Sequence, residues 1–369
     1  MAATVTHDHQ RRLETLREKL DAEGFSGALV SRPEHVFYLS GLVPGLSPAF
    51  LLVLAQRTIA IAPSAIGDFE TVPYTDYDIH NGWSIVANTC AALRQAFGQA
   101  GLKHQKVGVE TGHLPAALLA AIAPEIGGSA DLADVFWHMR RIKDETETAQ
   151  IAANVRGNDR MFEALRDAAR PGKSELDLWS VAYQALCENA GEPVALEADL
   201  GAGARTSNPD VKPGHHQLHT GDSILADVYS ATHGYYADTT RNFVLGQPTP
   251  RQREIHAILE DALAAGESLL TPGTRACDVD AAVRRVVERA GFGPNFPHHA
   301  GHSYGLFQQE RPFLIPADTL PLEPGMILTL EPGIYIENWG GMRLEGNYVI
   351  TDSGARRLDQ FPTGLIVCR

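Results

Sequence analysis

The chain has 369 residues, 44% of them hydrophobic and 21% charged, with a formal net charge of −14 at pH 7. That length predicts two domains with ample apolar surface for a core, and the acidic balance argues against a protein built to grip nucleic acid or an anionic membrane. Four cysteines, Cys90, Cys187, Cys277 and Cys368, lie far apart with no CxxC pair, which excludes a zinc-finger pattern and a disulfide framework and fits a reducing, cytoplasmic compartment.

The opening stretch MAATVTHDHQRRLETLREKL lacks the apolar centre of a signal peptide and reads as a polar helix. No apolar run reaches about 18 residues, so no membrane span is expected. A helix is predicted from Arg11 to Glu23, stopping at Gly24. The short apolar runs SGALVS, FLLVLA, TIAIA and KVGVE follow as strands, separated by helical stretches such as Thr89 to Ala100. This alternation predicts an α/β domain over residues 1–140, without a cluster of metal-type ligands. The charged segment MRRIKDETETAQ, Met139 to Gln150, opens a long helix and marks the boundary to a second domain, 141–369.

That second part carries an internal repeat. In the first copy a helix ends at ARPG, Ala169 to Gly172. Ser174 and Asp177 then form a capping-box-like start to a helix that ends at Gly191. In the second copy a helix ends at TPG, Thr271 to Gly273, and the next runs to Gly291. Each pair of helices is followed by a β-rich stretch, and the candidate ligands fall in those two stretches.

The first, GDSILADVYSATHGYYADTTRNFVLG, reads as two strands joined at His233-Gly234, with Asp227 on one and Asp238 on the other. Aspartate is disfavoured in strands. Two of them amid Ile, Leu, Val and Phe repel each other unless something positive lies between them. The second stretch holds His302 in HHAGHSYGL, Glu331 at the end of MILTLE and Glu345 in MRLEG. Four carboxylates and one imidazole suit two divalent cations sharing bridging carboxylates. Manganese, cobalt, iron or zinc fits that donor set better than calcium or a thiolate-type zinc site. Paired cations of this kind activate water near neutral pH.

With these motifs in order, the chain resembles the creatinase, prolidase and methionine aminopeptidase superfamily over essentially its whole length. SRPEHVFYLSGL (Ser31 to Leu42) resembles the start of the N-terminal domain of prolidase and aminopeptidase P, and MRRIKDETE resembles the entry into the catalytic domain. The resemblance implies a creatinase-like α/β domain followed by a pita-bread α+β catalytic domain with a pseudo-twofold internal repeat. It implies that Asp227 chelates one metal, that His302 and Glu331 ligate the other, and that Asp238 and Glu345 bridge the two. It further implies that Glu331 shuttles a proton from water to the leaving nitrogen. Arg343 is expected beside the bridging carboxylate, against a substrate carboxylate, or in a plain ion pair. A small peptide or amide substrate and a homodimer are implied as well.

The sequence also departs from the family. Peptidases of this superfamily carry two further histidines that bond the substrate carbonyl; Asp210 in NPDVKPG and Gln309 in QERP stand in their places. His298 is the first candidate to compensate, while His215, His216, His219 and His299 read as surface or supporting residues. Ionised Asp210 can only accept hydrogen bonds, so it either avoids that oxygen or faces a cationic part of the substrate. The leading expectation is therefore an Xaa-Pro dipeptidase-like or aminopeptidase-like metallohydrolase with altered specificity. The alternatives are a non-peptide C–N hydrolase of the creatinase or ectoine hydrolase kind, and a catalytically inactive binding protein.

Overall fold

In the computed structural model, which describes residues 8–42, 47–77, 79–80 and 85–368, the chain divides into two compact units, Met1–Arg140 and Arg141–Arg369. The first seven residues of the polar N-terminal stretch lie outside the described part; its helix runs His9–Ala22 with Asp8 as N-cap. None of the described helices is long and apolar enough to cross a membrane.

The first unit is built on a six-stranded sheet. Across it lie Glu70–Pro73, Thr58–Ala62, Phe50–Leu54, Gly27–Val30, Lys106–Val109 and Gly128–Asp131. Phe50–Leu54 and Thr58–Ala62 are buried at every position, which is why they read as unbroken apolar runs. The two edge strands, ETVP and GSAD, carry no such run and were not legible as strands. Each is largely exposed and is ordered by a parallel ladder to one inner neighbour. Within SRPEHVFYLSGL a helix runs Pro33–Ser40, with proline in its first turn and Gly41 in the left-handed cap. The Glu110 carboxylate accepts hydrogen bonds from the Ser31 and Arg32 amides at 2.5 and 2.8 Å and pairs with buried His35. That segment thus has a structural role, anchoring a helix to a strand end.

The second unit repeats one plan twice. Helices Glu145–Ala168 and Glu175–Ala190 both open on capping boxes, Asp144 with Glu147 and Ser174 with Asp177. They lie on a sheet of Ala195–Ala202, Ser223–Thr232, Tyr235–Leu245 and the C-terminal strand Ile366–Cys368. Helices Pro250–Glu267 and Ala276–Arg289 share a core with the second sheet, whose inner strands include His302–Ser303, Ile327–Leu330 and Gly346–Thr351. A hairpin of Gly333–Ile336 and Gly340–Arg343 accompanies it. At the His233-Gly234 turn both residues have positive φ, 49° and 81°, as the primed turn of a tight hairpin requires.

Polar side chains stitch the two halves together. Asn242 donates to the Arg343 carbonyl at 2.8 Å, and Asn347 donates to the Asp238 carbonyl at 2.8 Å. Fully buried Arg241 does most of this work. Its guanidinium pairs with Asp359 at 2.6 Å and donates to the carbonyls of Glu345, Phe361 and Pro362 at 2.6, 2.9 and 3.0 Å. Removing Arg241 leaves Asp359 with Arg357 alone and leaves three carbonyls without their charged donor. Arg241→Met is therefore expected to cost about 3–5 kcal/mol of stability, read from urea unfolding by circular dichroism. A loss below about 1 kcal/mol, within the range of surface pairs, would show the clamp to be dispensable.

Candidate active site

Strand register places the acids. Asp227 lies opposite Asp199 on one side and Thr240 on the other, and Tyr229 lies opposite Asp238. Residues directly opposed, or two apart on one strand, share a face. Asp199, Asp227, Tyr229, Asp238 and Thr240 therefore all point from the same side of the sheet. Carboxylate oxygens of Asp227, Asp238 and Glu345 come within 4.8 Å of one another, and all three residues are buried. Glu345 reaches this point from the second half, where its Oε2 accepts from Thr240 Oγ1 at 3.0 Å.

His302 and Glu331 complete the group. His302 Nε2 lies 3.5 Å from Asp238 Oδ2 and 3.4 Å from Glu331 Oε1. Its Nδ1 lies 2.9 Å from the Ser303 carbonyl. A proton on Nδ1 leaves Nε2 as a lone-pair donor aimed at the acids. Gly301 makes that position possible, since a Cβ there would stand 2.0 Å from the Thr329 carbonyl oxygen. Glu331 leaves the end of Ile327–Leu330 with its amide donating to the Ala300 carbonyl at 2.9 Å.

The electrostatics are those of a charge cluster kept from water. Burial first, then Glu345, pushes the Asp238 carboxyl well above the usual carboxylate range; burial first, then Asp227 and Glu331, does the same to Glu345. Burial also raises Asp227, against the opposing pull of Arg343. Glu331 differs. Burial works against its ionisation, yet His299, with His302 and His298, holds it well below the ordinary range. Asp227 Oδ1 and Glu345 Oε1 are buried with no hydrogen-bond partner among the described residues. An unbonded oxygen on a buried acid is costly, and two of them converging fits a donor set made for cations.

Around this group is a cavity of about 270 Å³, lined among others by Asp199, Asp210, His298, His299, Gln309 and Arg343. Asp210, His298, Gln309 and Arg343, picked out from the sequence, thus come together here with Asp227, Asp238, His302 and Glu331. Arg343 sits on Asp227 rather than on Glu345. Its Nη2 bonds Asp227 Oδ2, its Nε donates to Thr240 Oγ1 at 3.2 Å, and its Nη1 donates to the Tyr335 hydroxyl at 3.1 Å. Of the expected roles for Arg343, this contact is the ion pair.

Both nitrogens of His298 are engaged. Nδ1 lies 2.8 Å from the His299 carbonyl and Nε2 lies 2.9 Å from the Tyr335 hydroxyl. Burial lowers its pKa to about 4, so it is neutral. With Nδ1–H donated to a carbonyl, Nε2 accepts from Tyr335 and offers no N–H to a ligand. Gly333 leaves room for that bond, because a Cβ there would lie 2.6 Å from the Tyr335 hydroxyl.

Of the two places expected for His299, surface or supporting, it takes the second, partly buried against Glu331. It lines the cavity with Nδ1 3.3 Å from Glu331 Oε1, and burial, which disfavours its charge, is outweighed by Glu331, which raises its pKa. His216 and His219 group with Asp222 elsewhere, and His215 is exposed. Asp199 and Tyr229 were missed altogether. Nothing in ALEADLGA marks Asp199, because its importance comes from facing Asp227 across a ladder.

Residues 149–352 match the model of metallopeptidase family M24, and residues 12–142 match that of the creatinase/prolidase N-terminal domain. The chain is 27% identical to a putative dipeptidase, YkvY, of Bacillus subtilis, covering 96% of this chain and 99% of that one. It is 27% identical to an Xaa-Pro dipeptidase of Lactobacillus delbrueckii subsp. lactis, covering 93% and 95%. A solved dipeptidase structure from Pyrococcus horikoshii OT3 matches with a TM-score of 0.87 at 30% identity, covering 96% of this chain and 99% of that one. The pita-bread catalytic unit, its creatinase-type N-terminal unit and the family match over more than half of the sequence together make this chain a member of metallopeptidase family M24, a metal-dependent hydrolase.

Proposed function

We propose that the chain is a dipeptidase hydrolysing the amide bond of small Xaa-Pro or Xaa-Pro-like substrates. Two divalent cations would be held by Asp227, Asp238, His302, Glu331 and Glu345. The observation that carries this reading is the pair of buried, unbonded oxygens, Asp227 Oδ1 and Glu345 Oε1, in a cluster of acids. Manganese is the metal that best matches four carboxylates and one imidazole. The Xaa-Pro preference follows the relatives. A cytoplasmic homodimer completes the proposal, in keeping with four free cysteines.

When bound, the cations supply Lewis acidity and lower the pKa of water. The chain's own residues supply the rest. Glu331 accepts the proton of the attacking water and returns it to the leaving nitrogen, a role that suits a carboxylate kept ionised inside a buried site. His299, against Glu331, steadies its charge and orientation. Gln309 offers an amide N–H₂ to the oxygen of the scissile carbonyl as negative charge develops there. Asp210 lines the same cavity as an acceptor only, so the site lacks one donor that an imidazole would provide. Ordinary neutral Xaa-Pro dipeptides are therefore expected to turn over below about 10 s⁻¹, the typical enzyme rate, and a rate at or above it would show the loss to be cosmetic.

Two further outcomes test the centre. Saturating manganese at about 100 times its Kd should stabilise the protein by about 2.7 kcal/mol for each occupied site, seen as a rise in Tm. Glu345→Gln should abolish that rise without lowering the metal-free Tm, since it removes a charge from a repelling cluster. A metal-free Glu345→Gln protein clearly less stable than the metal-free parent would contradict the reading. Glu331→Gln keeps an oxygen for a cation but cannot take up a proton. It should bind manganese and lose at least about 10³ in kcat, within the range of acid–base contributions; retention of a tenth of the rate would remove the proton-shuttle role.

A further inference from the structure

Two cavity carboxylates, Asp199 and Asp210, are left over by the five-residue ligand set. Asp210 is exposed, and among the described residues its one hydrogen bond is from its amide to Asn208. Asp199 is different in kind. It is buried on the strand Ala195–Ala202, directly opposite Asp227, and shares its face of the sheet. Its Oδ2 is fixed from inside by the Tyr229 hydroxyl, with Arg343 Nη2 at 3.6 Å. The Tyr229 oxygen also lies 2.7 Å from Asp227 Oδ2, so its single proton serves both carboxylates and Asp199 stands one side chain away from the proposed metal ligands.

Its other oxygen, Oδ1, takes an ammonium: Lys212 Nζ lies 2.7 Å away. The two partners are unequal. The Lys212 side chain is 64% exposed, on the segment of chain that joins Gly203–Ser207 to the strand Ser223–Thr232, whereas the Asp199 side chain is 5% exposed. A lysine of that exposure leaves cheaply, because its compact ammonium regains full hydration and its flexible stem regains freedom. Asp199 cannot follow it into water. A buried carboxylate facing a cavity, with one oxygen held and the other bonded to a removable ammonium, is a seat for a second ammonium.

We propose that Asp199 anchors an ammonium group of the substrate beside the scissile bond, and that Lys212 holds that seat as a competing internal ammonium in the free chain. The inference rests on the dipeptidase reading for its choice of substrates. The ammonium has two possible sources, the α-amine of the N-terminal residue and a cationic side chain. Alanyl-proline against propionyl-proline isolates the first, and lysyl-proline against norleucyl-proline isolates the second.

The test measures KM for all four compounds with the manganese-loaded protein and with its Asp199→Asn and Lys212→Met variants. Binding is followed in parallel by calorimetry on a Glu331→Gln background, which needs no turnover. Asp199→Asn should raise KM and Kd for the ammonium-bearing member of at least one pair by about tenfold, as expected for a lost charge-assisted contact, and leave its partner unchanged. Lys212→Met should tighten the same member by about threefold, the scale of an exposed ion pair. Effects confined to the alanyl pair identify the α-amine, those confined to the lysyl pair identify a side-chain cation, and either supports the anchor. Asparagine matches aspartate in shape and still accepts from Tyr229; Tm and metal content verify that the variant is intact. The proposal is overturned if both variants alter the two members of each pair by equal factors, which would make Asp199 only a support for Tyr229 and Arg343. Absence of turnover for all four compounds would refute the dipeptidase reading by itself. The calorimetric pairs then decide the anchor alone, and equal affinities within each pair would overturn it.

Discussion

Four carboxylates and an imidazole held away from water in one place are the constraint on which the second unit is organised. Like charges at this spacing repel, and burial removes the solvent that would screen them. The chain answers with one arginine, Arg343, set against Asp227, and with hydroxyls and imidazoles around the rest. That answer is incomplete, as the unbonded oxygens of Asp227 and Glu345 show. Such residual strain is expected where a structure is arranged for function rather than for stability.

The rest of the unit is what holds those groups in position. The two sheets are not continuous, so the strand Tyr235–Leu245 is locked to the second half not by a ladder but by side chains, together with the backbone bonds Tyr236 N–H to Gly305 O and Glu345 N–H to Thr240 O. Thr240 bonds Glu345, Arg241 bonds the Glu345 carbonyl, and Asn242 bonds the backbone of Arg343, three successive residues on one strand. Two acids brought in by one half, and two acids and an imidazole brought in by the other, are thereby fixed in place. Positioning of this kind, on strands supported by buried polar bonds, suits a site that must hold its geometry within a fraction of an ångström.

Much of this could be read from the sequence for a plain reason. Asp227, Asp238, Glu331 and Glu345 each interrupt an apolar run, and a buried acid in a strand has few explanations. The helical pairs were legible through Ser174 with Asp177 and through Gly191 and Gly291, because caps are local chemistry. Contacts made across a ladder were not legible. Asp199 gains its meaning from the register that sets it opposite Asp227, and Tyr229 from lying opposite Asp238. The engagement of His298 with Tyr335, 37 residues away, is likewise invisible along the chain. Edge strands Glu70–Pro73 and Gly128–Asp131 escaped because their order comes from a neighbour and not from their own apolar content.

The acids are proposed to converge in order to bind two cations. Anomalous scattering from crystals grown with manganese tests this most directly. Two peaks are expected inside the cluster, one between Asp227 and the carboxylates of Asp238 and Glu345, the other between those carboxylates and His302 with Glu331. Full-occupancy manganese only at His216, His219 and Asp222, with none among the buried acids, would contradict it.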